Sequence, residues 1–211
     1  YITTQISLIS NARILWGGDS TIEYMRKISK KQRCIDLEFS DRYSFCIINS
    51  NSILNYNNNE LKILSQRFIN DSLIYDQNAC SSPHLIYWHG KEEESRKAMT
   101  KFWESVANSY SDNTSLEPMH AIDKYTKLCL ISTSINGKIE VSRHKNLIYR
   151  ILLKELPQNI EDFKFSYGFF YEFISNKLTP LKGIINEKFQ TVTYLGIEKD
   201  NLMNYIFNNG I

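Results

Sequence analysis

Cys80 is the cysteine whose neighbours in the sequence best suit a nucleophile. It lies in Asp76-Gln77-Asn78-Ala79-Cys80-Ser81-Ser82-Pro83, a polar run of small residues ahead of the apolar, aromatic run His84–Trp88. Pro83 lacks an N–H group and disfavours helix for the residue before it, so we predict a turn followed by a short buried strand. A thiol on such a turn is well placed to attack a substrate, yet free cysteine is also among the most buried residue types. On these residues alone, a buried and unreactive cysteine is the simpler interpretation.

The four histidines are the side chains that could serve a cysteine nucleophile as general acid or base. His84 lies four residues after Cys80, and a Cys–His pair would suit a cysteine-dependent acyltransferase or thioester hydrolase. The others, His89, His120 and His144, are of a type found more often on surfaces or in hydrogen-bonded cores than in catalysis. No Gly-x-Ser-x-Gly segment occurs in the sequence, which argues against a serine hydrolase.

The composition argues against several classes of function. With 25 basic and 23 acidic residues among 211, the net charge of +2 gives no electrostatic basis for binding nucleic acid. The four cysteines form no C-x-x-C pair, so we predict neither a metal site nor a disulfide framework. Cys34, Cys46 and Cys129 lie in or beside apolar runs and are expected in the core. No apolar run reaches the ~20 residues of a membrane span, and we expect a cytoplasmic protein.

Alternating strand and helix patterns predict an α/β fold with a largely parallel sheet. Residues 49–59 are polar and predict a loop, whereas Leu128–Ser132 predicts a strand that turns at Asn136-Gly137. The predicted strands are residues 13–16, 35–39, 43–48, 85–88, 128–132, 138–142, 167–174 and 190–195, and the predicted helices include 58–72, 92–110 and 200–207.

Gly17 and Gly18 follow the predicted strand Arg13–Trp16 and precede a helix that Asp19 or Ser20 can cap. Unpaired N–H groups at a helix N-terminus can hold a phosphate, so this segment is a candidate for cofactor binding. The same strand–Gly-Gly–helix pattern more often forms an ordinary turn that binds nothing. In addition, the Asp19 carboxylate would repel a phosphate.

The segment Asp76–Pro83 resembles the nucleophile loop of the LuxC family, long-chain acyl-thioester reductases within the aldehyde dehydrogenase superfamily. The resemblance extends upstream to Trp16-Gly17-Gly18-Asp19 and downstream to Phe189-Gln190-Thr191-Val192-Thr193-Tyr194, in the family's order. It implies a three-layer catalytic domain with a largely parallel sheet in residues 35–211, preceded in residues 1–34 by the tail of a nucleotide-binding domain. The chain would then be an internal to C-terminal piece of a longer protein.

The resemblance implies NADPH-dependent reduction of a long-chain acyl-CoA, or of an acyl group on a partner protein, to the aldehyde. Cys80 would be the acylated nucleophile; a free thiol with a pKa of ~8.5 needs help from its surroundings to ionise at neutral pH. In luminescence members the resemblance implies acyl-protein synthetase and acyltransferase subunits as partners, and a homo-oligomer is expected. The alternatives are the cysteine acyltransferase or hydrolase, and a non-catalytic chain that serves packing or oligomerisation.

Two glutamates resemble functional positions of the superfamily. Leu37-Glu38-Phe39 is similar to a segment that carries a general base, so Glu38 is expected to handle a proton or to make a structural hydrogen bond. Asn186-Glu187-Lys188-Phe189 is similar to a Glu-x-Phe motif, which implies that Glu187 binds the nicotinamide ribose. Gly17 and Gly18 are the candidates for binding the cofactor phosphates. A carboxylate suits a ribose diol because it can accept hydrogen bonds from two hydroxyl groups.

Overall fold

The computed structural model describes residues 2–111, 117–135 and 139–208. Strands and helices alternate over most of its length, which confirms the predicted α/β class. In chain order the elements are α1 (Ile2–Ile9), β1 (Ala12–Trp16), α2 (Asp19–Lys27), β2 (Ile35–Phe39), β3 (Tyr43–Asn49), α3 (Ser50–Asn55), α4 (Asn58–Ser72), β4 (Leu85–His89), α5 (Glu92–Ser111), α6 (Pro118–Ser134), β5 (Ile139–His144), β6 (Ile148–Leu153), β7 (Phe169–Ser175), β8 (Phe189–Leu195) and α7 (Lys199–Asn208), with 3-10 helices at Ile160–Phe163 and Thr179–Gly183.

The chain divides into two compact units, Tyr1–Arg42 and Tyr43–Ile211. In the first unit, β1 and β2 form a two-stranded parallel sheet. The unit also contains helices α1 and α2. The sequence-based boundary at residue 34 falls before β2, whose pairing with β1 makes it part of the first unit. The assignment of the units to cofactor binding and catalysis stays a prediction.

The second unit is built on a six-stranded sheet with the strand order β5-β6-β7-β4-β3-β8. Neighbouring strands run parallel from β6 to β8, and β5 is antiparallel to β6. Because β3 and β4 lie inside the sheet, their sequences are almost continuously apolar, as expected for parallel strands that are covered on both faces. The prediction of a largely parallel sheet is confirmed.

Apolar side chains on the two faces of this sheet form two separate cores, which gives the three layers. One core contains Ile48 and Trp88 and lies under α4 and α5. The other contains Ile47 and Tyr87 and is closed by residues from α6, α7 and the 3-10 helices. Alternate residues of each strand therefore point to opposite layers, as the two-residue period of a strand requires.

Two predicted elements were wrong. Residues 50–55 form helix α3 instead of a loop, because the Asn49 side chain accepts hydrogen bonds from the first helical N–H groups and Ile53 is buried. Leu128–Ser132 belongs to helix α6 instead of a strand, since the inward-facing residues Lys124, Leu128 and Ile131 recur at intervals of four and three residues. The predicted turn at residues 136–137 lies outside the described residues.

Candidate active site

Cys80 lies in the loop that joins α4 to β4 and folds through consecutive tight turns. Backbone hydrogen bonds close turns from Leu73 to Asp76 and from Ala79 to Ser82. Asp76 and Gln77 adopt φ angles of +52° and +64°. Left-handed backbone at two successive non-glycine residues is costly and persists only where the surroundings hold it in place.

Gln77 supplies much of that restraint from a fully buried position. Its Nε2 donates hydrogen bonds to the carbonyl oxygens of Pro83 and Phe169, at 3.0 and 3.1 Å. Its Oε1 accepts from the backbone N–H groups of Gly168 and Phe169, at 3.1 and 3.0 Å. The amide thus has four partners, which join the loop to the start of β7.

The Cys80 thiol is exposed on this restrained loop. By contrast Cys34 and Cys46 are buried, as predicted, and burial raises the pKa of the Cys46 thiol to about 11, which keeps that thiol protonated at neutral pH. The prediction that Cys129 is a core residue was wrong, because it projects from the exposed side of α6. Cys80 is therefore a surface thiol held by a fixed backbone, unlike the two buried cysteines.

Gln190, which the sequence analysis did not single out, lies against the Cys80 sulfur. Its Nε2 is 3.4 Å from Sγ, within hydrogen-bond distance for sulfur. In the pairing of β3 with β8, Tyr43 faces Phe189 and Ser44 faces Thr191, so Gln190 is the extra residue of a β-bulge. Bulges redirect a side chain locally, and the only available signal in the sequence was the position of Gln190 within the Phe189–Tyr194 motif.

Ser44, Cys80 and Gln190 lie at the amino ends of three neighbouring parallel strands. Ser44 is the second residue of β3, Cys80 precedes β4, and Gln190 is the second residue of β8. Since β4 and β8 both run parallel to β3, the three positions share one edge of the sheet.

His84, the candidate partner of Cys80 in a Cys–His pair, is a buried residue at the start of β4. Its Nδ1 lies 2.9 Å from the carbonyl oxygen of Phe165, and its ring packs 5.6 Å from the ring of Tyr43. These contacts are those of a hydrogen-bonded core histidine, while the side chain found against the Cys80 sulfur is an amide.

Glu187 is exposed in the turn that leads into β8. The turn is held by Asn186, whose Oδ1 accepts from the Lys188 N–H and whose Nδ2 donates to Glu161. An exposed carboxylate on a fixed turn fits the role of accepting hydrogen bonds from a diol.

Gly17 and Gly18 join β1 to α2 in the first unit, as predicted. Gly18 is the N-cap of α2, so no side chain caps the helix at this position. The space where its Cβ would stand is open. The first N–H groups of α2 therefore suit a phosphate, although Asp19 adds a negative charge in the same turn.

Glu38 lies on β2 of the first unit and forms a two-pronged ion pair with Arg26 of α2. The Arg26 Nε donates to Glu38 Oε1 at 2.8 Å, and a second guanidinium nitrogen donates to Oε2. This guanidinium lowers the pKa of the Glu38 carboxyl below its usual value. The carboxylate is thus ionised at neutral pH and has a weakened affinity for a proton.

Two kinds of feature are absent from residues 2–111, 117–135 and 139–208. These ranges contain no cluster of three histidine, cysteine or acidic side chains that could hold a metal ion. They also contain no helix with the length and apolar character needed to cross a bilayer.

Solved structures with a similar fold are aldehyde dehydrogenases. The substrate-bound AldH of Staphylococcus aureus is 14% identical with a TM-score of 0.64, and the match covers 98% of this chain and 46% of that one. A lactaldehyde dehydrogenase is 8% identical with a TM-score of 0.63, again over 98% and 46% of the two chains. The Δ-pyrroline-5-carboxylate dehydrogenase of Mycobacterium tuberculosis, bound with NAD and cobalamin, is 6% identical with a TM-score of 0.65 over 97% and 41%. The chain spans less than half the length of each of these proteins.

The sequence comparison gives a family. No curated protein matches the chain, but the family model of the LuxC acyl-CoA reductases matches residues 1–165, which is most of its length and includes Cys80. With the aldehyde dehydrogenase fold, this match confirms the resemblance on which the sequence analysis relied. The chain belongs to the LuxC family of acyl-CoA reductases.

Proposed function

We propose that this protein reduces a long-chain acyl thioester to the fatty aldehyde with NADPH, through an acyl group carried on Cys80. The observation that carries the proposal is an exposed thiol on a restrained loop at the amino edge of a parallel sheet, inside the segment that matches the LuxC family. The thioester substrate is acyl-CoA, or an acyl group on a partner protein.

The covalent step uses the sulfur of Cys80 as both nucleophile and leaving group. The Cys80 thiolate attacks the thioester carbonyl carbon, a new C–S bond forms, and the thiolate of the incoming thioester departs. NADPH, when bound, supplies the hydride that reduces this acyl group to the aldehyde level. The C–S bond to Cys80 then breaks, the aldehyde leaves, and the Cys80 thiolate is restored.

Two segments of the chain offer candidate residues for the cofactor. Gly17 and Gly18, at the start of α2, are the candidates for holding its phosphates. Glu187 is the candidate for accepting hydrogen bonds from the ribose. The location of the protein in the cytoplasm, a homo-oligomer, and partner subunits that make or transfer acyl groups stay predictions.

Glu38 is the candidate for proton handling during reduction. The ion pair with Arg26 keeps it in the ionised form that a base requires, but the lowered pKa makes it a weak base. A purely structural hydrogen bond to Arg26 is the competing role, and substitution of Glu38 distinguishes the two.

A cavity of about 280 Å³ supports a long apolar acyl chain as the substrate. It lies between β3, β8 and α7 on one face of the sheet, and Gln190, which touches the Cys80 sulfur, is part of its wall. Its size is close to the lower end of ligand pockets, roughly 300 Å³. The walls are mostly apolar, and the lining residues are Phe45, Ile47, Leu181, Ile185, Asn186, Phe189, Gln190, Thr191, Val192, Leu202 and Tyr205.

The amide beside Cys80 favours a reductase over the hydrolase alternative. A hydrolase needs a base that takes a proton from water to release the acyl group, and an amide such as Gln190 cannot do so. The side chain found against the Cys80 sulfur therefore gives the hydrolase alternative no support.

The test is intact mass after the protein is incubated with a long-chain acyl-CoA, followed by addition of NADPH. We expect one acyl adduct that is absent in Cys80→Ser, present in the control Cys129→Ser, and converted to aldehyde by NADPH. An adduct that clears as free acid without NADPH would instead identify a hydrolase. No adduct on Cys80 would contradict both activities.

A further inference from the structure

Gln190 reaches the Cys80 sulfur because the bulge between β3 and β8 inserts it as an extra residue at the edge of the sheet. The backbone that carries this sulfur is also held by the sheet, since the carbonyl oxygen of Cys80 accepts a hydrogen bond from the Ser44 hydroxyl at 2.6 Å. Ser44 on β3 and Gln190 on β8 are close together, because Ser44 pairs with Thr191, the residue after Gln190. The 3.4 Å separation of Nε2 and Sγ is therefore set by the sheet and by the loop together.

An amide N–H responds differently to the two states of a thiol. It makes a weak contact with the neutral S–H group, but it donates a charge-assisted hydrogen bond to a thiolate, and such bonds are stronger than neutral ones. A donor fixed against the sulfur therefore favours the ionised state, which is the form that attacks a thioester.

We propose that Gln190 is a further catalytic residue, whose side-chain N–H donates to the Cys80 sulfur and stabilises the thiolate. This inference rests on the proposed function, because it assumes that Cys80 is the nucleophile. Charged and titratable residues on the adjoining segments are Asp41 and Arg42 ahead of β3, Asp71 in the last turn of α4, Asp76 in the loop, His84 ahead of β4, and Glu187 and Lys188 ahead of β8. They remain in place when Gln190 is replaced, so their influence is the same in each variant.

The test measures the rate of iodoacetamide alkylation at Cys80 from pH 6 to pH 10, by peptide mass spectrometry. Gln190→Met keeps the length of the side chain and removes the donor, and Gln190→Glu replaces the donor with a negative charge. Cys129 is an exposed internal control in the same molecule, and the buried Cys46 reports unfolding if it becomes labelled.

At pH 7 we expect Cys80 to react about tenfold more slowly in Gln190→Met, and more slowly still in Gln190→Glu, because a smaller fraction is thiolate. At pH 10 the tenfold difference between Gln190→Met and the wild-type protein should shrink to less than about twofold, while Cys129 is unchanged throughout. Wild-type rates at Cys80 in either variant at pH 7 would overturn the proposal. So would a tenfold loss of rate in Gln190→Met that persists at pH 10.

Alkylation needs neither acyl-CoA nor a cofactor, so the two proposals fail separately. A thiol that depends on Gln190 but never takes an acyl group would contradict the proposed function alone. A thiol that takes the acyl group and is indifferent to Gln190 would contradict this inference alone.

Discussion

The hydroxyl group of Ser44 donates a hydrogen bond to the carbonyl oxygen of Cys80, with 2.6 Å between the two oxygen atoms. Ser44 is fully buried on β3, and its own carbonyl oxygen accepts from the N–H of His84 at 2.9 Å. A single strand residue thus holds both ends of the segment from Cys80 to His84. The loop is fastened to the sheet as it enters β4.

Replacing Ser44 with alanine should loosen the nucleophile. We expect the free energy of unfolding to fall by about 1 kcal/mol, since one buried hydroxyl hydrogen bond is lost, together with slower acylation of Cys80. Denaturant unfolding and acyl-adduct formation measure the two effects. Ser132→Ala removes an exposed hydroxyl on α6 as a control, and equal values for the two variants would refute the role of Ser44.

Gln77 should matter more for stability than any exposed glutamine. Gln77→Leu leaves buried backbone groups of Pro83, Gly168 and Phe169 without their partners, so we expect a loss of about 3 kcal/mol or more in the free energy of unfolding. Gln66→Leu, on the exposed side of α4, is the matched control, and its effect should stay within about 0.5 kcal/mol. Similar unfolding curves for the two variants would show that Gln77 does not hold the loop.

Glu38→Gln decides between proton handling and a structural contact. If Glu38 handles a proton, the turnover rate should fall by about 100-fold or more, while the acyl adduct on Cys80 still forms. Steady-state kinetics and intact mass give the two quantities. Glu23→Gln, on α2 of the same unit, is the control, and an unchanged turnover rate in Glu38→Gln would leave only the contact with Arg26.

The first unit should respond to acid through Asp36. Asp36 and Arg13 are directly paired on β2 and β1, and hydrogen bonds from Arg13 and then Lys30 hold the pKa of the Asp36 carboxyl well below its usual range. A lowered folded-state pKa gives stability that is present above the unfolded pKa of about 3.9 and is lost as the pH falls below it.

Asp36→Asn should therefore weaken protection of β1 and β2 at pH 7, by about 2 kcal/mol. The difference in protection between Asp36→Asn and the wild-type protein should become smaller below about pH 4. Hydrogen exchange of the amides in residues 12–16 and 35–39 measures this difference. If the difference in protection between the two proteins stays constant from pH 7 to below pH 4, Asp36 is not the source of the acid response.

The cavity beside Gln190 should limit the length of the acyl chain. Val192 is half-buried in its wall, so Val192→Trp should fill part of it and shift the preference toward shorter acyl-CoA substrates. Competition between chain lengths in one reaction measures the shift. Tyr194→Trp changes an exposed residue further along β8, and the same shift in that control would place the acyl chain elsewhere.

Much of the fold was readable because its signals are local. The strands at residues 43–48 and 85–88 are apolar runs of strand length, and the helix at 58–72 has a helical repeat of apolar residues. Helix α3 was missed, although Asn49 was a local cap signal, because the helix has only six residues and depends on burial of Ile53 against α5. The apolar run from Leu128 to Ile131 suited a strand equally well, and only the burial of Lys124 and Ile131 on one side of α6 distinguishes the helix.

The sequence by itself determined the α/β class, the family and Cys80 as the candidate nucleophile, because strand and helix periods and a contiguous motif are properties of neighbouring residues. Tertiary structure decided which side chains serve that cysteine. Ser44 lies 36 positions from Cys80 in the chain and Gln190 lies 110 positions away. Their approach depends on the strand order and on one bulge, and both follow from how the strands pair across the whole sheet.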